Sequence, residues 1–152
     1  MTVTVTTFVH ATCVALQASG RRWRGVLLRG PSGAGKSDFA LRLVDAGARL
    51  VADDQTALSR RGHSLIAAPP GTISGLMEVR GIGIVKVGRP RLLARVPISL
   101  LVDLVPPEKI ERMPEPARED LLGVELPVVR LAPFEASAPA KLRLALAQIP
   151  AA

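Results

Sequence analysis

Aromatic side chains are scarce in this chain, whose 152 residues include three Phe, one Trp and no Tyr. Proteins that bind single-stranded nucleic acid stack bases on aromatic side chains, so the composition disfavours that class. Hydrophobic residues still make up 48% of the chain, and most of them are aliphatic. We therefore expect one domain over residues 1–152, large enough to bury an aliphatic core of its own.

Cysteine and long apolar runs are equally sparse. The single cysteine, Cys13, cannot form an internal disulfide, which suits a reducing cytoplasm, and its strand-like position is typical of a small core residue. No segment approaches about 18 consecutive apolar residues, and no basic region precedes the first apolar stretch. We expect a cytoplasmic protein with no signal peptide and no membrane span.

Positive charge is in excess, with a formal net charge of +7 that comes from 16 Arg and only four Lys. Such an excess favours an acidic partner or nucleic acid. The basic residues are scattered, however, and the densest run is Arg21, Arg22 and Arg24. Because nucleic-acid binding needs a clustered basic patch, a bias in overall composition explains the charge better. We expect no nucleic-acid partner, while a phosphate-bearing ligand or an acidic protein remains compatible.

One segment matches the phosphate-binding pattern G-x-x-x-x-G-K-(S/T). Its residues are Gly30, Pro31, Ser32, Gly33, Ala34, Gly35, Lys36 and Ser37. Glycines let backbone N–H groups approach an anion, the lysine can contact the β- and γ-phosphates, and the serine hydroxyl can hold Mg²⁺. A strand is predicted over residues 25–29 and a helix over residues 36–46, which places phosphate at a helix N-terminus. These flanks disfavour a chance glycine turn.

Two adjacent carboxylates, Asp53 and Asp54, end the next predicted strand, over residues 49–53. Open α/β sheets bind ligands at the carboxyl ends of their strands. Near a triphosphate, one carboxylate can hold Mg²⁺ or its water while the other accepts a hydroxyl proton. A simple turn is the alternative, because Asp is common after strands. The pattern does not say which aspartate performs which task.

Glu78 and Arg80 lie within residues 76–85, a segment that is otherwise too apolar for us to expect it at the surface. Two residues apart on one predicted strand, the two side chains would share a face. They could meet metal and phosphate, or they could form a structural ion pair at the edge of the core. The residues alone leave both interpretations open, although the flanking Gly81 and Gly83 would allow a ligand to approach closely.

Two further residues, His10 and Arg112, are most simply explained without a functional role when each is considered alone. His10 lies on a strand predicted over residues 3–16, where a satisfied, half-buried histidine is more common than a catalyst. Arg112 lies in the polar, proline-bounded loop of residues 106–116, where a solvated charge is the default and a cap over the site is the alternative.

Strands outnumber helices in the rest of the chain. We predict a hairpin connection over residues 18–25, strands over residues 56–58, 64–68, 96–105 and 124–131, and a helix over residues 140–149. This order differs from a regular βαβα alternation.

Together these segments resemble the catalytic domain of HPr kinase/phosphorylase, the bacterial enzyme that acts on a seryl residue of the phosphocarrier HPr. The resemblance covers about residues 7–131 and depends on the P-loop, the V-A-D-D of residues 51–54 and the E-x-R-G-x-G of residues 78–83, in family order. The combination is more specific than any one motif. It implies an α/β fold, P-loop-containing, with a phosphoenolpyruvate carboxykinase-like catalytic core and a strand-rich mixed sheet.

The resemblance also implies roles for single residues. The loop from Gly30 to Ser37, together with Arg80, would bind ATP, and Ser37 and Glu78 would hold Mg²⁺. One aspartate would take the proton from the target serine and return it when inorganic phosphate attacks the phosphoserine. The implied catalytic residues are His10, Lys36, Asp53, Asp54 and Arg112, the last from the loosest part of the alignment.

This chain departs from the family pattern in several places. We expect no N-terminal regulatory domain, the connection over residues 17–23 is longer than usual, and residues 131–137 replace a basic loop linked to dephosphorylation. The C-terminal helix also differs, so the family's hexamer is not carried over and a homo-oligomer stays open. Kinase activity on HPr or a related carrier is therefore a safer expectation than phosphorylase activity. The alternatives are a small-molecule kinase or NTPase and a nucleotide-sensing regulatory module.

Overall fold

A computed structural model describes residues 5–17, 20, 22–71 and 74–150. The described residues form eleven strands and two α-helices, together with short 3-10 turns at Arg89–Arg91 and Pro107–Lys109. The strands are β1 Thr6–Val9, β2 Ala11–Gln17, β3 Trp23–Arg29, β4 Arg49–Ala52, β5 Thr56–Arg61, β6 Ser64–Ala68, β7 Leu76–Val79, β8 Gly83–Lys86, β9 Val96–Leu104, β10 Ala117–Leu121 and β11 Val124–Leu131, and the helices are α1 Lys36–Asp45 and α2 Ala138–Ala147.

Nine of these strands form one mixed sheet in the order β1-β5-β6-β9-β3-β2-β4, with β11 beside β9 and β10 beside β11. Strands β3, β9 and β11 are parallel neighbours, so their carboxyl ends meet at one edge of the sheet. Strands β7 and β8 form a separate two-stranded hairpin. The P-loop segment begins at the carboxyl end of β3, where an α/β sheet binds its ligands.

Both faces of the central strands are covered, which explains why β2 is buried at six consecutive positions. On one face Val14, Leu28 and Val102 pack against α1 and α2. On the other face Leu27 and Leu101 pack among residues of β5, β6 and β11. Cys13 belongs to this second layer, where burial raises the pKa of its thiol and keeps it protonated, as expected of a core residue.

Part of the positive charge is structural. The guanidinium of Arg24, at the start of β3, donates hydrogen bonds to the backbone carbonyls of Leu146 at 3.1 Å and Ile149 at 2.9 Å. These carbonyls lie at the end of α2, where a helix leaves its last acceptors without partners of its own. Arg24 therefore anchors α2 against the sheet.

Several sequence predictions agree with the structure within two residues or so, including α1, β4, β6, β9, β11 and α2. The strand predicted over residues 3–16 is instead interrupted at His10, which forms a bend between β1 and β2. Of this prediction, residues 3 and 4 lie outside the described residues, as do residues 18, 19 and 21 of the predicted hairpin connection.

The expectation that residues 76–85 are too apolar to be exposed is wrong. They form the β7–β8 hairpin and its turn, in which Ile82 is 78% and Ile84 is 68% exposed while Met77 is buried. Arg80 follows β7 in the turn, so it does not share a strand face with Glu78. Strand β10 was not predicted, because its sequence A-R-E-D-L has no apolar alternation and it pairs only with β11.

Among the described residues, neither α-helix has the length and apolar character that crossing a membrane would require.

Candidate active site

Three glycines shape the loop between β3 and α1. Gly33 and Gly35 have φ angles of 84° and 100°, a left-handed conformation that side chains disfavour. A Cβ on Gly30 would lie 2.8 Å from the Cβ of Ala34, which is closer than atoms can pack. Because α1 begins directly after Gly35, the first N–H groups of the helix lie at the loop, where they can bind an anion.

Lys36 is buried within the curve of this loop. Its Nζ donates hydrogen bonds to the carbonyl of Gly30 at 2.7 Å and to that of Pro31 at 3.1 Å. The ammonium group therefore lies in the loop that the sequence predicts to bind phosphate, and it can exchange these carbonyl contacts for phosphate oxygens.

Gly35 is covered on one side by Pro133 and Phe134, which follow β11. A Cβ on Gly35 would lie 2.8 Å from the Phe134 ring. The guanidinium of Arg42, on α1, also donates a hydrogen bond to the carbonyl of Pro133. Pro133 and Phe134, within residues 131–137, thus pack directly against the P-loop at Gly35.

Asp53 connects the P-loop to two other parts of the fold. Its Oδ1 accepts hydrogen bonds from the hydroxyls of Ser37 at 2.7 Å and Thr12 at 3.1 Å, and its Oδ2 accepts one from the backbone N–H of Glu78 at 3.1 Å. One carboxylate therefore joins the start of α1, strand β2 and the β7–β8 hairpin.

Asp54 has a different partner for its carboxylate from that of Asp53, although both residues contact Thr12. Its Oδ1 lies 2.8 Å from Nε2 of His10, and its backbone N–H donates to the hydroxyl of Thr12 at 3.0 Å. The side chains of His10 and Asp54 are 50% and 69% exposed, so both are accessible from solution. The φ of Asp54 is 64°, which is unusual for a residue other than glycine.

The oxygen atoms around Ser37 fit a magnesium ion. Mg²⁺ is usually held by one or two carboxylates together with phosphate oxygens and water. The Ser37 hydroxyl and the Asp53 carboxylate supply such oxygens side by side, and the exposed Glu78 lies next to them through its backbone. Within the described ranges, no group of three or more His, Cys, Asp or Glu residues is arranged to hold a metal by itself. An ion here would depend on phosphate for its remaining ligands.

Arg112 lies apart from this cluster. It lines a cavity of about 200 Å³ between the loop of residues 106–116, the end of β11 and the start of α2, and no residue of the P-loop lines that cavity. Arg80 is exposed in the β7–β8 turn. The structure thus gathers His10, Lys36 and both aspartates around the P-loop, with Arg80 and Arg112 beyond the hydrogen-bonded cluster.

An ion network that sequence reasoning missed lies on the other side of the P-loop. Arg29, the last residue of β3, donates to Asp103 of β9 at 2.8 and 3.2 Å and to Glu119 of β10 at 2.6 and 2.9 Å. The hydrogen bond from Arg29 lowers the pKa of Glu119, and the two carboxylates raise the pKa of Arg29. No sequence signal marks this network, because it depends on how β3, β9 and β10 are placed.

The fold and the site define the class as a P-loop α/β protein with paired aspartates at the sheet edge. A sequence model described as HPr Serine kinase C-terminal domain matches residues 2–142, so the chain belongs to that family. It is similar to the HPr kinase/phosphorylase of Lactobacillus acidophilus, with 39% identity over 117 residues, which are 70% of this chain and 36% of the relative.

A second relative, the HPr kinase/phosphorylase of Geobacillus thermodenitrificans, is 37% identical over 131 residues, which are 80% of this chain and 41% of the relative. The chain thus spans roughly two fifths or less of the length of these relatives. The structure is similar to that of the HPr(Ser) kinase/phosphatase from Coxiella burnetii, with a TM-score of 0.78 and 28% identity over 91% of this chain and 92% of the other. The expected fold class, a strand-rich P-loop α/β catalytic core, is confirmed.

Proposed function

We propose that this chain is the catalytic domain of an ATP-dependent protein serine kinase that phosphorylates the phosphocarrier HPr or a related carrier. The observation that carries the proposal is the division between the two aspartates: Asp53 contacts the P-loop serine at 2.7 Å, whereas Asp54 contacts an exposed histidine at 2.8 Å. Phosphoryl transfer to a hydroxyl needs both tasks, charge neutralisation at the phosphates and removal of a proton from the acceptor. Family membership and the names of the relatives support the same function.

In this proposal the P-loop positions the nucleotide. The N–H groups at the start of α1 and the Lys36 ammonium bind the phosphates of ATP and hold the γ-phosphoryl group in line for transfer. Ser37, Asp53 and Glu78 would hold Mg²⁺, which neutralises charge on the phosphates when it is bound. Arg80 as a nucleotide contact and Arg112 as a catalytic residue remain predictions.

Asp54 is the general base in this proposal. Its carboxylate is exposed, so it can reach a hydroxyl on another protein, and its hydrogen bond to His10 orients it toward that surface. The O–H bond of the acceptor serine breaks as its oxygen bonds to the γ-phosphorus, and the proton passes to Asp54. The bond between the γ-phosphorus and the bridging oxygen of ATP breaks at the same time, and ADP leaves with that oxygen. In the reverse reaction the same acid would return the proton. Residues 131–137 replace the basic loop that the family resemblance links to dephosphorylation, so we expect the forward reaction to dominate.

Labelled ATP offers a direct test. The chain is incubated with ATP labelled at the γ-phosphate, Mg²⁺ and an HPr-type carrier, and acid-stable phosphoserine on the carrier is the expected product. A carrier whose target serine is replaced by alanine serves as the control. Absence of carrier phosphorylation would overturn the proposal. ATP turnover without a labelled carrier would point instead to a small-molecule kinase or NTPase.

A further inference from the structure

Thr12, on β2, lies between the two site aspartates, and none of the roles described above uses it. Its side chain is fully buried, in a strand that is otherwise apolar apart from Gln17. A polar group in such a place needs hydrogen-bond partners inside the protein. The partners of the Thr12 hydroxyl are Asp53 and Asp54 themselves.

We propose that Thr12 is a positioning residue that sets the separate directions of Asp53 and Asp54; this inference rests on the proposed function. Its hydroxyl donates to Oδ1 of Asp53 at 3.1 Å and accepts from the backbone N–H of Asp54 at 3.0 Å. A hydroxyl can donate and accept at one atom, whereas a hydrocarbon of the same shape can do neither. One side chain thus contacts both residues on which the proposed reaction depends.

The contact to Asp54 acts on its backbone. Asp54 has a φ of 64°, a left-handed conformation that costs free energy outside glycine and persists where surrounding contacts hold it. The Thr12 hydroxyl holds the N–H of that residue, while His10 holds its carboxylate at 2.8 Å. Without the hydroxyl, the N–H would lose its acceptor and the left-handed backbone would lose one of its restraints.

The contact to Asp53 acts on its carboxylate. The Ser37 hydroxyl approaches the same Oδ1 at 2.7 Å, so Thr12 and Ser37 together orient that oxygen beside the P-loop. Because Thr12 is fully buried, it would act through the two aspartates and not by contact with nucleotide or acceptor.

A second buried threonine provides a matched control. Thr56 is also fully buried, and its hydroxyl donates instead to the backbone carbonyl of Ala11 at 2.8 Å. Replacing either threonine by valine preserves shape and removes one buried hydroxyl. The two variants should therefore lose similar amounts of thermal stability, and only the variant at Thr12 should lose function.

The experiment compares Thr12→Val, Thr12→Ser and Thr56→Val. For Thr12→Val we expect kcat for carrier phosphorylation to fall about tenfold, which is the scale of one hydrogen bond, with KM for the carrier within about twofold. The gain in ATP affinity on adding Mg²⁺ should also shrink several-fold, as measured by calorimetry with and without the metal. Thr12→Ser should restore both quantities to within about threefold, and Thr56→Val should leave both unchanged while lowering Tm.

Equal losses of kcat in Thr12→Val and Thr56→Val, or a failure of Thr12→Ser to restore activity, would assign Thr12 a structural role and overturn the inference. If Thr12→Val does not fold, Thr12→Ala takes its place as a variant without a hydroxyl, with the same expected losses. A wild-type chain that binds ATP but does not phosphorylate the carrier would overturn the proposed function alone. The Mg²⁺-dependent ATP affinity would still decide the role of Thr12, and an unchanged affinity in Thr12→Val would overturn it.

Discussion

Two pairs of carboxylates flank the P-loop, and they differ in their partners. Asp103 and Glu119 share one guanidinium, that of Arg29, through four hydrogen bonds. The carboxylates of Asp53 and Asp54 are contacted by two hydroxyls, one backbone N–H group and a histidine. Asp103 lies near the end of β9, and Asp53 and Asp54 directly follow β4.

The difference in partners suits one pair to a structural role and the other to a role in the proposed reaction. A guanidinium that binds two carboxylates compensates their charge and holds them in a fixed geometry, which suits an element that fastens β10 to β3. Hydroxyls and N–H groups orient a carboxylate without neutralising it, so Asp53 and Asp54 remain able to attract a metal ion or a proton. Under the proposed function, the two pairs of carboxylates serve different purposes at one sheet edge, and their hydrogen-bond partners account for the difference.

The largest effect should come from Asp54→Asn. The amide keeps the size of the side chain but cannot accept the serine proton, so we expect kcat for carrier phosphorylation to fall by about 10²–10⁴-fold. ATP affinity should stay within about twofold. Asp45→Asn, at an exposed position at the end of α1, is the control. A comparable loss in ATP affinity would contradict the assignment of Asp54 as the base.

Asp53→Asn should distinguish the role of Asp53 from that of Asp54. The amide oxygen can still accept from Ser37 and Thr12, whereas the NH2 group in place of Oδ2 can no longer accept from the N–H of Glu78, and the negative charge is lost. We expect ATP affinity in the presence of Mg²⁺ to fall about ten- to hundredfold, and affinity measured in EDTA to change little. An equal loss with and without the metal would mean that Asp53 acts like the carboxylates of the other pair, as part of the structure.

Arg29→Met should affect stability and leave nucleotide binding intact. Removing the guanidinium leaves the carboxylates of Asp103 and Glu119 facing each other without compensation, and we expect the free energy of unfolding to fall by about 2 kcal/mol in urea titrations. Arg118→Met is the matched control, because Arg118 forms an exposed pair with Glu125 at 3.7 Å and should cost less than about 0.5 kcal/mol. A fall in ATP affinity in Arg29→Met would contradict the assignment of Asp103 and Glu119 to a structural role.

The smallest expected effect is the change with pH in the stability that Glu119→Gln loses relative to wild type. The folded-state pKa of Glu119 lies below its ordinary value of 4.5, because Arg29 stabilises the charged form. The contribution of Glu119 to the free energy of unfolding is therefore present above about pH 4.5 and is lost as the pH falls through the folded-state pKa. The side chain is partly exposed, so the contribution should stay under about 1 kcal/mol. Urea unfolding at pH 7 and pH 3 should give a stability difference between variant and wild type that shrinks at pH 3; a constant difference would contradict the ion pair.

Much of this arrangement could be predicted from local patterns. The P-loop, α1 and the strand that ends at Asp53 follow from glycine spacing, helical periodicity and a short apolar run, and all three are present. The exposed β7–β8 hairpin was missed because an apolar composition predicts burial, whereas Ile82 and Ile84 lie on a hairpin outside the main sheet. Strand β10 was missed because its polar sequence becomes a strand only by pairing with β11.

Local sequence patterns were enough to predict a phosphate-binding loop with two carboxylates following the next strand, since these motifs depend on residues close together in the chain. The contacts of those carboxylates could not be predicted in this way, because they form between distant parts of the folded chain. The fold brings Ser37 to Asp53, His10 to Asp54 and Thr12 to both, across separations of 16 to 44 residues. The chemistry of a carboxylate depends on the groups within hydrogen-bond distance. Here those groups are brought to the carboxylates by the fold and not by proximity in sequence.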